Sequence, residues 1–162
     1  MKMQKGFSLI EALIALLIIA IGLLGIAGLQ AASVYRSHVG GMNSLAAVEA
    51  QSIAAAMIAN PGAFPANGTA ADYNTLDAAT VSYTTDCSTA VCSSPDMALY
   101  DLYQWGTELA NDLPQGKGKV QCYASPPQCT VTVNWSQKQM AASAGTSLGT
   151  ISTQRYQLVV HP

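Results

Sequence analysis

The chain has 162 residues, of which half are apolar and only 10% are charged. Soluble domains usually carry roughly 25% charged residues, so this composition argues against an ordinary cytosolic protein. The formal net charge of −2 gives no sign of a protein that binds nucleic acid through a basic surface. The mean hydropathy of +0.25 is high for one soluble domain, and the apolar residues are concentrated near the N-terminus.

The first predicted element is an apolar segment that is long enough to cross a membrane. Leu9–Leu29 contains twenty-one residues, which as a helix would extend about 30 Å, the thickness of the hydrocarbon core of a bilayer. Lys2 and Lys5 precede this segment, and the next basic residue is Arg36. By the positive-inside rule, this asymmetry predicts a cytoplasmic N-terminus and an exported C-terminal part.

A secretory signal peptide is the alternative interpretation of this segment. The apolar region of such a peptide usually has about 7–15 residues, and the small residues Ala31 and Ala32 could serve a signal peptidase. Glu11 counts against this alternative, because a carboxylate inside a bilayer costs several kcal/mol unless it has a partner. An acidic residue at this depth is therefore a functional candidate.

Cleavage of the chain after Gly6 would supply a partner for Glu11. The new α-amine would belong to Phe7, four residues before Glu11, and residues spaced by four lie on one face of a helix. The ammonium could then neutralise the carboxylate within one chain or between adjacent chains. This geometry indicates a device for assembling subunits.

The stretch from Lys5 to Glu11 resembles the prepilin-type signal of type IV pilins and type II secretion pseudopilins. In that family a membrane-embedded prepilin peptidase cuts after the glycine of a basic leader and N-methylates the new first residue. The resemblance implies cleavage between Gly6 and Phe7 and methylation of Phe7. It also implies that Glu11 guides the subunit into a growing filament.

Helical periodicity continues beyond the apolar segment. Apolar residues recur at steps of three, four or seven, and this stripe comprises Tyr35, Val39, Met42, Leu45, Ala46, Ile53 and Met57. Glu49 is the local misfit inside the stripe, at a place where it would cap a packing interface. Asn60-Pro61-Gly62 predicts the end of the helix, because proline cannot continue it and asparagine or glycine suits a C-cap.

Five glycines interrupt this long helix: Gly22, Gly25, Gly28, Gly40 and Gly41. Many major pilins carry a proline near the position of Gly28, which this chain lacks. Two interpretations stay open for this region, local melting of the helix in a filament and close packing of helices through small residues in lipid.

Four cysteines follow a linker-like stretch that is rich in Ala, Asn, Thr, Ser and Asp and reaches to about residue 80. An even number of cysteines in an exported segment favours disulfides. Of the three possible pairings, we favour the one that joins sequence neighbours: Cys87–Cys92 and Cys122–Cys129. Zinc is the alternative, but His38 and His161 are remote and no CxxC pair is present.

A second helix is predicted after the first cysteine pair. Ser94-Pro95-Asp96 is typical of a helix start, with serine as the cap and proline in the first turn. The apolar face of this helix comprises Leu99, Leu102, Gly106, Leu109 and Leu113. Trp105 borders this face and is expected in the core, and Pro114 ends the helix.

A hairpin is predicted next, because Lys119–Tyr123 and Gln128–Ser136 both alternate and prolines separate them. If Cys122 faces Cys129, then Val120 faces Val131, so the disulfide and the hydrophobic pattern demand the same register.

A third strand is predicted at Arg155–Val160, with Tyr156, Leu158 and Val160 on one side. Residues 138–150 are rich in Gly, Ser and Ala and predict an exposed loop.

These elements together predict an α+β protein of the pilin-like fold, in which a long N-terminal helix packs on a small antiparallel sheet with an extra short helix. The expected divisions are a leader at 1–6, a transmembrane or filament-core helix at 7–29, an amphipathic helix at 30–60 and a periplasmic globular domain at 61–162. Within the family, residues 21–30 and the Cys-x4-Cys segment, together with Asp101, Trp105, Leu113-Pro114, Gly116 and Val120, are similar to PilV-type minor pilins.

The resemblance implies a structural subunit, a minor type IV pilin that primes pilus assembly and lies at or near the pilus tip. It implies roles in fimbrial biogenesis, adhesion and twitching motility. The implied partners are the prepilin peptidase, other minor and major pilins, a pilus-tip adhesin and, before assembly, inner-membrane lipid.

Other functions are weighed against this one. A minor pseudopilin of a type II secretion system shares the N-terminal signal and stays the main alternative, whereas the paired cysteines and the glycine-rich membrane helix favour the pilus. A DNA-uptake pilin is disfavoured, because residues 63–162 contain four basic and seven acidic residues and a phosphate-binding surface needs clustered positive charge. No motif of a hydrolase or of a phosphate loop is present, so we expect no catalytic residue, cofactor, metal or nucleic-acid partner.

Overall fold

The computed structural model describes residues 8–63, 73, 75, 77–124, 126–138 and 150–161. The described residues form two α-helices and three strands: α1 (Leu9–Ala59), α2 (Ser94–Asp112), β1 (Lys117–Ala124), β2 (Pro127–Lys138) and β3 (Ile151–Val160). Short 3-10 turns lie at Pro61–Ala63 and Ala78–Thr80. The architecture is α+β and pilin-like, as the sequence predicts.

The chain divides into two compact units, of which the first ends at Gly40 and the second begins at Gly41. The first unit contains the apolar part of α1, which is helical from Leu9 onward and passes through Gly28 without a break. The second unit contains the last part of α1, together with α2 and the sheet.

The C-terminal end of α1 is where the sequence predicts it. The helix ends at Ala59, and the backbone N–H of Asn60 donates to the carbonyls of Ala56 and Met57, both at 3.1 Å. Pro61 then begins a 3-10 turn. The side-chain amide of Asn60 donates to the carbonyl of Ser94 at 2.8 Å, so the end of α1 is fixed to the start of α2.

The cap of α2 is Ser93, and the prediction of Ser94 was wrong by one residue. Ser93 has an extended backbone, its hydroxyl accepts from the backbone N–H of Asp96, and it donates to the Asp96 carboxylate at 2.6 Å. This reciprocal pairing needs an acidic or amide side chain three residues after the cap, which Asp96 supplies for Ser93. The helix ends at Asp112, and Pro114 follows directly after the C-cap Leu113.

The strands form an antiparallel sheet in the order β1-β2-β3. Cys122 pairs with Cys129 and Val120 with Val131, so the predicted hairpin register is confirmed. On the other side of β2, Leu158 of β3 pairs with Val131.

All three strands are longer than predicted. Each strand starts before the expected residue, at Lys117 for β1, Pro127 for β2 and Ile151 for β3, and β2 extends to Lys138. Pairing continues beyond the alternating segments because the long central strand offers partners along its whole length, up to the Lys138–Ile151 pair. Of the predicted loop at 138–150, residues 139–149 lie outside the described residues.

A buried apolar cluster joins both helices to the sheet. It includes Ala46, Ala50, Ile53 and Met57 from α1, Leu102, Trp105 and Leu109 from α2, and Val120, Val131, Val133 and Trp135 from the strands. Trp105 is a core residue, as expected, and its indole N–H donates to the backbone carbonyl of Glu49 at 3.0 Å.

The contact between α2 and β1 leaves no room for a side chain at residue 118. A Cβ added to Gly118 would lie 2.4 Å from Cζ3 of Trp105 and 2.7 Å from Cδ1 of Leu109.

We expect Gly118→Ala to lower the free energy of unfolding by about 1–3 kcal/mol, because the added methyl group overpacks this contact. Urea denaturation of the full chain in detergent, followed by tryptophan fluorescence, measures the change.

Gly41→Ala is the matched control, because a Cβ there meets no atom within 4 Å. It should be neutral or stabilising by up to about 1 kcal/mol, since alanine is the better helix former. Equal unfolding midpoints for Gly118→Ala and the unmodified chain would contradict this packing.

Candidate functional site

The apolar part of α1 presents its large side chains outward. In the first unit their exposed fractions range from 52% for Ile14 to 80% for Leu9. Among the described residues, α1 is long and apolar enough to cross a membrane, and its most apolar window buries nothing inside the protein. Such a surface is stable only when lipid or other apolar helices cover it.

Glu11 lies in the first turn of α1, near the N-terminal end of this apolar surface. Its backbone N–H donates to the carbonyl of Ser8 at 3.1 Å, as does that of Ala12 at 3.3 Å, so the helix is already formed around Glu11. The side chain is exposed, and none of the described basic residues forms a salt bridge with it. A carboxylate at a helix N-terminus is favoured by the helix dipole, but inside lipid it needs a cation as well.

Gly6 and Phe7 lie outside the described residues. Cleavage between them, methylation of Phe7 and the role of Glu11 in assembly therefore stay predictions.

Residues 1–27 match the prokaryotic N-terminal methylation motif. This motif indicates a type IV pilin-like or pseudopilin-like protein, and the family that carries it is structural rather than enzymatic. The motif implies processing by prepilin peptidase and assembly with other pilins, and together with the apolar helix it indicates membrane anchoring. No curated protein and no solved structure is significantly similar to this chain.

The four cysteines form two disulfides, in the pairing that the sequence favours. Cys87 and Cys92 have Cα atoms 5.6 Å apart, and Cys122 and Cys129 have Cα atoms 4.0 Å apart. The second bond joins β1 to β2 at directly paired positions. Within the described residues no group of three or more histidine, cysteine or acidic side chains could hold a metal ion.

An aromatic cluster joins Tyr83 to α2. The ring of Tyr83 packs edge-on against Tyr100 and Tyr103, with centroids 5.2 Å and 4.8 Å apart. Nearby, the hydroxyl and the backbone N–H of Ser88 donate to Asp86, and these hydrogen bonds lower the pKa of the Asp86 carboxyl. The sequence does not predict this cluster, because its three tyrosines come from a loop and a helix with no shared periodicity.

A groove separates α1 from α2 in the second unit, and carboxylates border it. Its lining comprises Ser52, Ile53, Ala56, Asp101, Gln104, Trp105 and Glu108. Glu49 lies about one turn before Ser52 on α1, and it is only 7% exposed. Its Oε2 has no hydrogen-bond partner among the described residues. Burial raises the pKa of Glu49, and the carboxylates of Glu108 and Asp112 raise it further.

Tyr73 is hydrogen-bonded to Asp101, one of the residues that line the groove. It is fully buried, its hydroxyl donates to the Asp101 carboxylate at 2.5 Å, and the same oxygen lies 3.4 Å from the side-chain amide of Asn60. Burial raises the pKa of Asp101, and the hydrogen bond from Tyr73 opposes this rise. The sequence predicted only a linker here, since Tyr73 is an isolated aromatic residue in a stretch of small and polar residues.

Tyr73→Phe removes the hydroxyl that donates to Asp101 and leaves this half-buried carboxylate without that donor. We expect the free energy of unfolding to fall by about 1–3 kcal/mol at pH 7 and by less near pH 4. The effect is smaller near pH 4 because the lost hydrogen bond favours the ionised form of Asp101, so the pKa of Asp101 rises in the variant. Protonation of Asp101 at low pH then removes the cost of the missing donor.

Denaturation curves at the two pH values measure this difference. Tyr123→Phe is the control, because Tyr123 is half exposed and its change should stay within about 0.5 kcal/mol. A loss that is the same for both variants would contradict the role of the Tyr73–Asp101 hydrogen bond.

Proposed function

We propose that this chain is a minor type IV pilin that joins other minor pilins to prime pilus assembly and lies at or near the pilus tip. The match of residues 1–27 to the N-terminal methylation motif carries the proposal. The similarity of residues 21–30 and of the Cys-x4-Cys segment to PilV-type minor pilins supports the choice of this subgroup. Fimbrial biogenesis, adhesion and twitching motility, with a tip adhesin among the partners, follow from that choice.

The proposed mechanism starts from cleavage between Gly6 and Phe7, which creates an ammonium group at the start of α1. Methylation of Phe7 keeps the positive charge on this amine. The unpaired Glu11 carboxylate of an incoming subunit is unfavourable in lipid, and pairing it with the amine of a neighbour relieves that cost. Docking therefore becomes favourable at the place where the filament grows.

The apolar residues of Leu9–Leu29 take part in the same step. Before assembly, inner-membrane lipid would cover their exposed side chains, and in the pilus the apolar helices of other subunits would replace the lipid. Association of helices from lipid depends on close packing and on polar pairs rather than on the hydrophobic effect. The pair formed by Glu11 and the amine of a neighbour would therefore fix the position of the incoming subunit, and the apolar contacts would stabilise the helix bundle.

The proposal also assigns the parts of the chain to compartments. Residues 1–6 form the cytoplasmic leader, 7–29 the transmembrane or filament-core helix, 30–60 the amphipathic helix and 61–162 the periplasmic globular domain. The two disulfides support export of the last part, since disulfides persist in the periplasm and not in the cytosol.

Glu11→Ala tests the assembly step. A lost charge pair in lipid is worth a few kcal/mol, so we expect the amount of this subunit in sheared surface pili to fall by about tenfold or more. Its amount in the membrane should stay unchanged, because Glu11 does not contribute to the core of the second unit. Quantitative immunoblots of pili and membranes measure both amounts.

The control for this experiment moves the carboxylate by one helical turn, in the double variant Glu11→Ala, Ala15→Glu. It restores the charge but not the spacing to Phe7, so incorporation should stay low. Normal incorporation of Glu11→Ala would contradict the proposed mechanism. Unchanged pili together with a block in type II secretion would indicate a pseudopilin instead.

Intact-mass measurement of the full chain purified from membranes tests processing. The expected mass is that of a chain without residues 1–6, with one added methyl group and with four hydrogens fewer for the two disulfides. Treatment with a reductant should restore the four hydrogens and leave the methyl group. An N-terminus at Ala32 or Ser33 would show a secretory signal peptide and would contradict the proposal.

A further inference from the structure

The groove between α1 and α2 is acidic, and the second unit contains few cations that could neutralise it. Asp101 and Glu108 of α2 line the groove. Glu49 of α1 and Asp112 of α2 lie beside it, and Glu49 is close enough to Glu108 and Asp112 for their carboxylates to raise its pKa. The basic residues from Gly41 onward are Lys117, Lys119, Lys138 and Arg155, and all of them lie on the strands.

The described residues form one salt bridge, between Lys117 and Asp77 at 2.9 Å. Asp77 is not part of the groove. Among the charged groups, those that shift the pKa of Glu49 are the carboxylates of Glu108 and Asp112. The groove therefore concentrates negative charge on two neighbouring helices without a salt bridge among the described residues.

Glu49 makes this concentration of charge more than a solvated acidic surface. Its side chain is only 7% exposed, and its Oε2 lies buried without a hydrogen-bond partner among the described residues. A buried carboxylate without a compensating cation or donor is strongly destabilising. Its neighbour Trp105 cannot serve as the donor, because the indole N–H is used by the backbone carbonyl of Glu49.

The walls of the groove define what chemistry fits. Ile53, Ala56 and Trp105 form an apolar floor, and Ser52 with Gln104 supplies neutral polar groups at the rim. The long aliphatic stem of a lysine or arginine can lie along an apolar surface while its charged end reaches carboxylates. A metal ion fits less well, since no group of three acidic side chains in the described part of the chain is close enough to hold one.

We propose that the groove between α1 and α2 binds a lysine or arginine side chain of a neighbouring pilin subunit, whose charged end lies between Glu108 in the lining and the buried Glu49 beside it. The identity of the partner as a pilin subunit rests on the proposed function, whereas the charge of the incoming side chain rests on the groove itself. Glu108 in the lining and Asp112 beside it attract the cation, and Glu49 gains the charge partner that it lacks in the free subunit. A free subunit then carries an electrostatic cost that docking removes.

Site-specific photo-crosslinking in cells that assemble the filament tests this proposal. A photoreactive amino acid replaces Gln104, which lines the groove, in the full chain, and mass spectrometry identifies the crosslinked peptide. We expect an adduct with another pilin subunit, at a peptide that contains lysine or arginine. The same probe at Thr107, which is exposed on α2 but does not line the groove, should not give this adduct.

Glu49→Gln distinguishes recognition of charge from packing, because glutamine keeps the shape of the side chain. We expect it to lower the yield of the Gln104 adduct by about tenfold, corresponding to the loss of one close charge pair. The same variant should raise the thermal midpoint of the purified full chain at pH 7, because it removes a buried charge that has no partner in the free subunit.

The stabilisation by Glu49→Gln should grow as the pH rises from about 4 to 7. The pKa of Glu49 is raised in the folded chain, so the folded state binds the proton more tightly, and the stability of the unmodified chain falls as that proton leaves. The groups facing Glu49 from α2, which are Glu108 and Asp112, act in the same direction.

Several results would overturn the proposal. In the crosslinking experiment, these are the absence of an adduct at Gln104 in a subunit that is present in pili, and an adduct at a peptide without a basic residue. For Glu49→Gln, they are an unchanged yield of the Gln104 adduct and a lower thermal midpoint than that of the unmodified chain. The proposed function is judged separately, by the incorporation of Glu11→Ala. A groove that fails these tests in a subunit that still depends on Glu11 leaves the proposed function intact.

Discussion

An apolar helical surface that nothing in the described chain covers is the constraint on which the rest of this protein depends. The large side chains between Leu9 and Leu29 are mostly exposed, and a surface of this size cannot stay in water. It needs lipid or the helices of other subunits. The match to the methylation motif over residues 1–27 implies membrane anchoring and assembly with other pilins, and these would supply the two kinds of cover.

The second unit is built without help from that surface. Small side chains, among them Ala46, Ala50 and Ala98, are fully buried and allow the last part of α1, α2 and the sheet to approach closely. The hydrogen bond from Trp105 to the carbonyl of Glu49 and the network around Tyr73 then fix these elements by directional contacts. A disulfide closes the β1–β2 hairpin. A unit stabilised in this way can keep its fold while the apolar helix changes its surroundings.

Elements with strong local signals could be predicted from the sequence. The end of α1 at Asn60-Pro61 and the pairing of Val120 with Val131 follow from proline chemistry and from alternation, and the structure has both. The predicted core stripe omitted Ala50, although this residue lies four positions after Ala46 and three before Ile53 and therefore fits the same periodicity. The other misses have physical reasons. Tyr73 was not expected in the core because a single aromatic residue has no periodicity. The full extent of β3 depends on the length of its partner strand, which no local pattern shows.

The two acids of α1 also differ in how clearly the sequence marks them as functional. Glu11 stands out in the sequence because a carboxylate inside an apolar run is conspicuous, whereas Glu49 was recognised only as a misfit whose surroundings on α2 come from another part of the chain. In the structure both acids lie on α1 and neither has a salt bridge within the described residues. An acid that lacks a cation lowers the stability of an isolated chain, and the same acid favours association once a partner supplies the cation. If both acids act as we propose, the subunit is less stable alone than in the filament, and this difference itself favours assembly.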